Sequence, residues 1–361
     1  MTNNLLLIIY IILEEVKPKS VYYSDYLQLD KILDAQLPES EKAGVQADDE
    51  MLFIIIHQTY ELWFKQILHE LGIAQRVFQQ SNINDNSPDL PNVVHRLNRV
   101  SEILEVLIDQ MFVLETMTPL DFLDFRNLLR PASGFQSIQF KIVEASLGLR
   151  YKQRFGQQYY LSQLRPEDVE RVKKAEESTS LIELINTWLE RMPYFKDAAY
   201  WQAELEATKP HPFWQQYRDA YANGLLEIEK SNLIGFDMLF MNDENYPEDR
   251  RLSPEANRNA LFIMLYRDYP LLNMPYRLLE MLLNIDELLA QWRYRHMNMV
   301  QRMIGRRVGT GGSTGAEYLK NAADSHYVFK EIADLTSYLM PRQDMPKLSS
   351  KLQRDLGYNK F

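Results

Sequence analysis

The chain has 361 residues and a formal charge of −10, and its 46% hydrophobic and 25% charged residues are the proportions of a globular protein. That length holds one large or two medium domains, and the acidic balance argues against a nucleic-acid partner, which needs a basic face. Cysteine is absent, which removes disulfides, zinc–thiolate sites, thiolate catalysis, iron–sulfur centres and covalent haem attachment, and fits a reducing cytoplasm.

At the N-terminus, Leu5 to Leu13 is almost purely apolar, but a membrane-spanning helix needs about 20 such residues. Glu14, Glu15 and Lys17 follow where a secretory signal would carry a small-residue cleavage site. Residues 1–20 therefore read as an extension that packs on the body or on a neighbouring subunit, with no membrane partner. Asp48 is placed to cap a helix with Asp49 and Glu50 in its first turn. Phe53, Ile56, Tyr60, Phe64, Ile67 and Leu71 lie along one side of that helix, and Gly72 is expected to loosen or end it. From Val94 to Leu114, the positions Leu97, Val100, Leu104, Leu107, Met111 and Leu114 predict a second long amphipathic helix.

Thr118-Pro119 is a helix start, with threonine at the cap and proline at the first helical position; the helix runs to Arg126 and stops before Pro131. A further helix is expected from near Ser133, carrying Phe135, Ile138 and Ile142. Between residues 151 and 253 the period weakens, and Pro193, Pro210, Pro212 and Pro247 punctuate it, which predicts a variable helical insertion. Helical period returns from Ala256 to Leu283, interrupted by Pro270 and Pro275. A last strong helix from Asn284 to Gly305 sets Ile285, Leu288, Leu289, Trp292, Met299, Val300 and Met303 on one face. Gly309-Thr-Gly-Gly-Ser-Thr-Gly315 is too glycine-rich for a helix or strand interior. Period-two strands and internal repeats are missing. The fold class is all-α, a helical bundle over 21–345 with one dominant core, followed by a C-terminal tail at 346–361.

His57 and His296 each fall on the apolar stripe of a long helix. Taken singly, such a histidine is more often a core residue with one satisfied nitrogen than a ligand; His69, His95, His211 and His326 have no convergent neighbours in the sequence. No Glu-x-x-His pair and no His-Glu-x-x-His occurs, which removes the di-iron bundle and the zinc protease patterns. The glycine run lacks a phosphate-loop lysine and the dinucleotide spacing. A haem iron on a single histidine remains, in an aromatic, methionine-rich helical pocket. Arg293, Arg295, Arg302, Arg306 and Arg307 form a basic cluster, either a solvated helix face or partners for the carboxylates of a bound group.

Four strings carry a resemblance. They are Asp49-Glu-Met-Leu-Phe-Ile-Ile-Ile-His-Gln-Thr-Tyr-Glu-Leu-Trp-Phe-Lys65 and Leu114-Glu-Thr-Met-Thr-Pro-Leu-Asp-Phe122, then Phe125-Arg126 with Pro131-Ala-Ser-Gly-Phe-Gln-Ser137, and Trp292-Arg-Tyr-Arg-His-Met-Asn-Met-Val-Gln-Arg-Met-Ile-Gly305 running into the glycine loop. In that order and over about Tyr22 to Pro341, the chain resembles the tryptophan 2,3-dioxygenase family. The resemblance implies a cytoplasmic, homotetrameric enzyme. It would use haem b (non-covalent, ferrous in the active form, one per subunit) to insert both atoms of O2 across the indole C2–C3 bond of L-tryptophan. The product would be N-formyl-L-kynurenine, the first step of tryptophan degradation by the kynurenine pathway.

By the same resemblance His296 matches the proximal iron ligand, and His57 the distal catalytic histidine that accepts a hydrogen bond from the indole N–H. Arg126 matches the residue that grips the substrate carboxylate, and Thr310 the loop threonine that closes over the amino-acid end. Phe53 and Phe122 match indole-pocket walls, Ser133 and Gly134 the lining of the distal side. Tyr23 and Tyr26 match an N-terminal segment that reaches a neighbouring subunit's active site. Two alternatives stay open: a related indole such as tryptamine, which has no carboxylate for Arg126, and a haem-binding or ligand-sensing helical protein without turnover.

Overall fold

The computed structural model describes residues 20–357, apart from 81–82, 84–86, 152–153, 155–160, 202–210, 242, 306, 308, 310–318 and 321–325. Among the described residues the chain is helical with no strand, which is the all-α class expected from its period. The apolar run Leu5–Leu13 and Thr310 lie outside them. No helix among the described residues is long and apolar enough to cross a membrane.

Three long helices form the frame: α1 (Asp49–Phe78), α2 (Asp89–Leu114) and, later in the chain, one spanning Pro270–Ile304. Between them come α3 (Pro119–Arg126), α4 (Ile138–Leu147), α5 (Pro166–Glu177), α6 (Leu181–Glu190), α7 (Pro212–Gly224) and α8 (Pro254–Leu265), which makes the 270–304 helix α9. α2 packs along both α1 and α9, and α4 packs against α1. The stripes read from the sequence are the faces that meet. Ile56, Tyr60, Phe64, Ile67 and Leu71 of α1, all six predicted positions of α2, and Ile285, Leu288, Leu289, Met299 and Met303 of α9 are buried in one continuous core. Each such side chain contributes about 1.5–3 kcal/mol of burial free energy, which outweighs local helix propensity.

That balance explains where the helices differ from expectation. Gly72 neither ends nor loosens α1, because Leu71, Ala74, Val77 and Phe78 around it are buried and hold the helix to Phe78. Pro275 does not interrupt α9; it sits in the second turn and is itself buried, so the missing N–H removes one hydrogen bond near an end that lacks several anyway. Asp48 makes no side-chain cap. Instead the buried Glu50 accepts from the backbone N–H groups of Glu39 at 3.0 Å and Ser40 at 2.8 Å, capping the one-turn helix Glu39–Ala43 against α1. The segment from Ser133 opens as a short 3₁₀ turn at Gly134–Gln136, and the α-helix starts only after Ser137.

In the 151–253 region α6 and α7 feed the same core, through Trp188, Phe213, Trp214 and Tyr217. Residues 346–356 hold the helix Ser350–Leu356, whose Leu352 and Leu356 are also buried there.

Candidate active site

α1, α3, α9 and the 133–141 segment surround an open cavity with about 1400 Å³ of space between atoms, part of it continuous with solvent. Each wall is fixed locally. α3 begins with a reciprocal cap: Thr118 Oγ1 accepts from the Asp121 N–H and Asp121 Oδ2 accepts from the Thr118 N–H at 2.8 Å. One and two turns on, this places Phe122 and the buried Arg126 at the cavity. Ser137 donates to Glu61 Oε1 at 2.6 Å and Gln139 donates to the Glu61 backbone carbonyl at 2.8 Å, which ties the turn carrying Ser133 and Gly134 to α1. Asp286 of α9 accepts from the backbone N–H groups of Val328 and Phe329, anchoring the chain beyond the glycine-rich segment.

Phe53, His57, Phe122, Arg126, Ser133, Gly134 and His296 all line this one cavity. Phe53 stacks on Phe122 with ring centroids 5.6 Å apart and lies 4.1 Å from the His57 ring. His57 faces open cavity space and is therefore reached by solvent, yet protein atoms crowd round it. Burial holds its imidazole below the usual histidine range, against opposing pulls from the Phe53 carbonyl and Glu61. His57 Nδ1 lies 2.7 Å from the Phe53 carbonyl oxygen, which can only accept, so the ring proton sits on Nδ1 and Nε2 keeps its lone pair.

His296 stands across the cavity on α9. Burial first, and then the facing His57, push its imidazole down to about 4, so it is neutral near pH 7 and its lone pair is free for a metal. Trp292, one turn earlier, lies parallel to the His296 ring at 5.3 Å and 10°. Phe140 packs against Trp292 at 4.7 Å, with Tyr60 and Phe64 at its edges, so the tryptophan ring is held from three sides. Met117, Met299 and Met303 fill much of the remaining wall. A neutral imidazole above a broad, largely apolar cavity, with a second neutral imidazole opposite, fits a flat iron porphyrin. Among the described residues no cluster of three or more acidic, histidine or cysteine side chains could hold a bare metal ion instead.

The chain matches the family model described as tryptophan 2,3-dioxygenase over residues 14–339. It is 42% identical to the tryptophan 2,3-dioxygenase of Alteromonas mediterranea, an alignment that covers 93% of this chain and 97% of that protein. It is 39% identical to the one from Dictyostelium discoideum, over 94% and 89% of the two chains, and 39% identical to the one from Bdellovibrio bacteriovorus, over 95% and 100%. The chain belongs to the tryptophan 2,3-dioxygenase family. It is accordingly an oxidoreductase, and the family implies a haem cofactor.

Two expected site residues stand apart from the cavity in the single chain. Tyr23 and Tyr26 are 71% and 74% exposed on the one-turn helix Tyr23–Leu27 and do not line it. Trp292, Lys141, Glu144 and His326, to which the sequence assigns no site role, also line it, and so does Arg293 of the basic cluster. In the sequence Trp292 is only part of the apolar stripe and His326 has no convergent neighbours, yet His326 is 3% exposed beside Glu144. The usable signal was position: Lys141 and Glu144 fall three apart on the buried side of α4, and Arg293 falls three before His296. The basic cluster also divides. Arg293 is buried in an ion pair and Arg295 reaches Glu115 at 2.6 Å, whereas Arg302 and Arg307 are exposed.

Proposed function

We propose that the chain binds one non-covalent haem b per subunit on His296 and, in the ferrous state, cleaves the indole C2–C3 bond of L-tryptophan with O2 to give N-formyl-L-kynurenine. The observation that carries this reading is the meeting of His57 and His296, from helices far apart in the chain, across a single apolar cavity that Arg126 also enters. When bound, the haem supplies dioxygen activation, which no side chain here can perform.

The protein's own residues bind and orient. His57 Nε2 accepts the indole N–H, which can only donate. Phe53 and Phe122, stacked on each other, offer the indole one apolar wall and exclude water. Arg126 offers the carboxylate a planar pair of donors; burial, with Arg130 and Arg307 within electrostatic reach, lowers its hold on the proton, but a guanidinium stays charged. Ser133 and Gly134 line the distal side. Thr310, just beyond the cavity residue Gly309, closes over the amino-acid end. Tyr23 and Tyr26 complete a neighbouring subunit's site in a cytoplasmic homotetramer, which agrees with their exposure in the single chain.

The test is the full-length protein reconstituted with haem, reduced, and given L-tryptophan and air. The expected result is the near-ultraviolet absorbance of the formylkynurenine product, formed one for one with tryptophan consumed. A stable haem spectrum that shifts with tryptophan but yields no product would move the assignment to a sensor.

A further inference from the structure

His57 and His296 face each other across the cavity, but only one of them is held by a hydrogen bond. His57 Nδ1 donates to the Phe53 carbonyl at 2.7 Å. Neither ring nitrogen of His296 has a hydrogen-bonding partner among the described residues; burial and the facing His57 are what act on it. A metal-ligating imidazole ordinarily donates its second N–H to a carboxylate or carbonyl, and that bond fixes the ring's rotation as well as its tautomer. In this chain another contact has to fix the rotation, because the last torsion of a histidine side chain has only a broad preference of its own.

The contact present is a ring. Trp292, one turn back on α9, lies parallel to His296 with 10° between the planes and 5.3 Å between the centroids, the offset arrangement that aromatic rings prefer. Turning the imidazole about Cβ–Cγ would drive its edge into the indole face, so the stack resists rotation. The indole in turn is braced. Phe140 of α4 packs on it at 4.7 Å, and Tyr60 and Phe64 of α1 meet it edge-on at 6.2 and 6.3 Å. Phe64 also packs on Phe140 at 5.2 Å, and the Tyr60 hydroxyl donates to the Leu107 carbonyl of α2 at 2.7 Å, so three helices hold one ring. Trp292 Nε1 is buried near the Tyr60 hydroxyl without a hydrogen bond of good geometry. A buried donor left in that state costs free energy; the flat face of the indole, and not its polar atom, is what this position uses.

We propose that Trp292 is the positioning residue of His296: clamped by Tyr60, Phe64 and Phe140, its indole fixes the plane of the imidazole, and with it the rotation at which the nitrogen lone pair meets iron. The proposal rests on reading the cavity as a haem site with His296 as the ligand. It gives the apolar stripe of α9 a task beyond core packing, with a stacked ring standing where a hydrogen-bonded carboxylate or carbonyl is usual.

The test is the iron–imidazole stretching band of the full-length ferrous haem protein, recorded by resonance Raman for the wild type, Trp292→Phe and Trp292→Leu. One narrow band is expected in the wild type and in Trp292→Phe, which keeps a flat ring. In Trp292→Leu, apolar but not flat, the band should broaden or split. Its haem should also pass to an excess of apomyoglobin about 2- to 10-fold faster, the worth of one ring stack. A Trp292→Leu protein with the wild-type band and rate overturns the proposal. The same broadening in both variants overturns it as well, since lost volume would then be the cause. Should Trp292→Leu not fold, the wild type decides: one band supports the proposal, and two bands, from two rotations of the ring, overturn it. A folded wild type without an iron–imidazole band would instead overturn the reading of His296 as the ligand, and this inference with it.

Discussion

At His57 the tautomer is decided by its own helix. The Phe53 carbonyl, one turn back, takes the Nδ1 proton, so Nε2 faces the cavity as an acceptor before any ligand arrives. An N1-methylated tryptophan has no proton to offer there and should lose about 10- to 100-fold in kcat/KM, the usual worth of a buried group left unpaired. In His57→Ala the two substrates should differ far less; equal discrimination in both proteins would remove His57 from the indole contact. Arg126 makes a complementary prediction. Arg126→Leu should raise KM for L-tryptophan by about 10- to 100-fold through loss of a charge-assisted pair. Binding of tryptamine, which lacks the carboxylate, should stay as in the wild type. Spectral titration of the ferrous protein with each amine checks both statements.

At the scale of the element, α3 shows how a short helix holds a site residue. It spans only Pro119–Arg126, so its reciprocal Thr118–Asp121 cap secures much of its length. Thr118→Ala is expected to cost about 1 kcal/mol in denaturant unfolding, with a rise in KM because Phe122 and Arg126 ride on the same turns. The helices of the frame were legible from their apolar period, and seven residues of the cavity, Phe53, His57, Phe122, Arg126, Ser133, Gly134 and His296, from the resemblance that attaches to long strings around them. Local breakers misled. Gly72 suggests a helix that loosens or ends and Pro275 one that is interrupted, yet burial of Leu71, Ala74 and Pro275 carries both helices through. Lys141 and Glu144 were not legible, and Arg293 only as one of a basic cluster with two open readings, because burial and partners distant in sequence, which period does not reveal, decide their surroundings.

Across the whole molecule, the buried Glu144 network links α4, α9 and the chain around residues 154 and 326. Burial works against its ionised form, but Arg154, Arg293 and the neighbouring His326 outweigh it and hold the carboxyl well below the usual range. A carboxyl depressed on folding stabilises above its unfolded value near 4.5, and that contribution is lost as pH falls through and below it. Stability of the apoprotein should therefore drop steeply below about pH 4.5, and Glu144→Gln should be much less stable at pH 7 with a flatter acid limb. Thermal melts from pH 3 to 7 would show this; parallel curves for the two proteins would argue that Glu144 is not the acid-sensitive group.

The outer surface bears on assembly. Met51, Ile55, Leu62 and Trp63 of α1, with Val106, Phe112 and Val113 of α2, are exposed. So much apolar surface on adjoining helices favours burial against further copies. Sedimentation of the holoprotein is expected to give a tetramer. A monomer retaining full activity would separate Tyr23 and Tyr26 from the site.

The most direct test of the central claim, one iron porphyrin held between His57 and His296 and used to open tryptophan, is haem titration of the wild type, His57→Ala and His296→Ala, monitored by absorption and followed by a pulse of oxygen with L-tryptophan. The expected outcome is a Soret band and product in the wild type, the same band with slowed turnover in His57→Ala, and loss of tight haem binding with no product in His296→Ala. A His296→Ala protein that binds haem and turns over tryptophan as the wild type does would contradict the account.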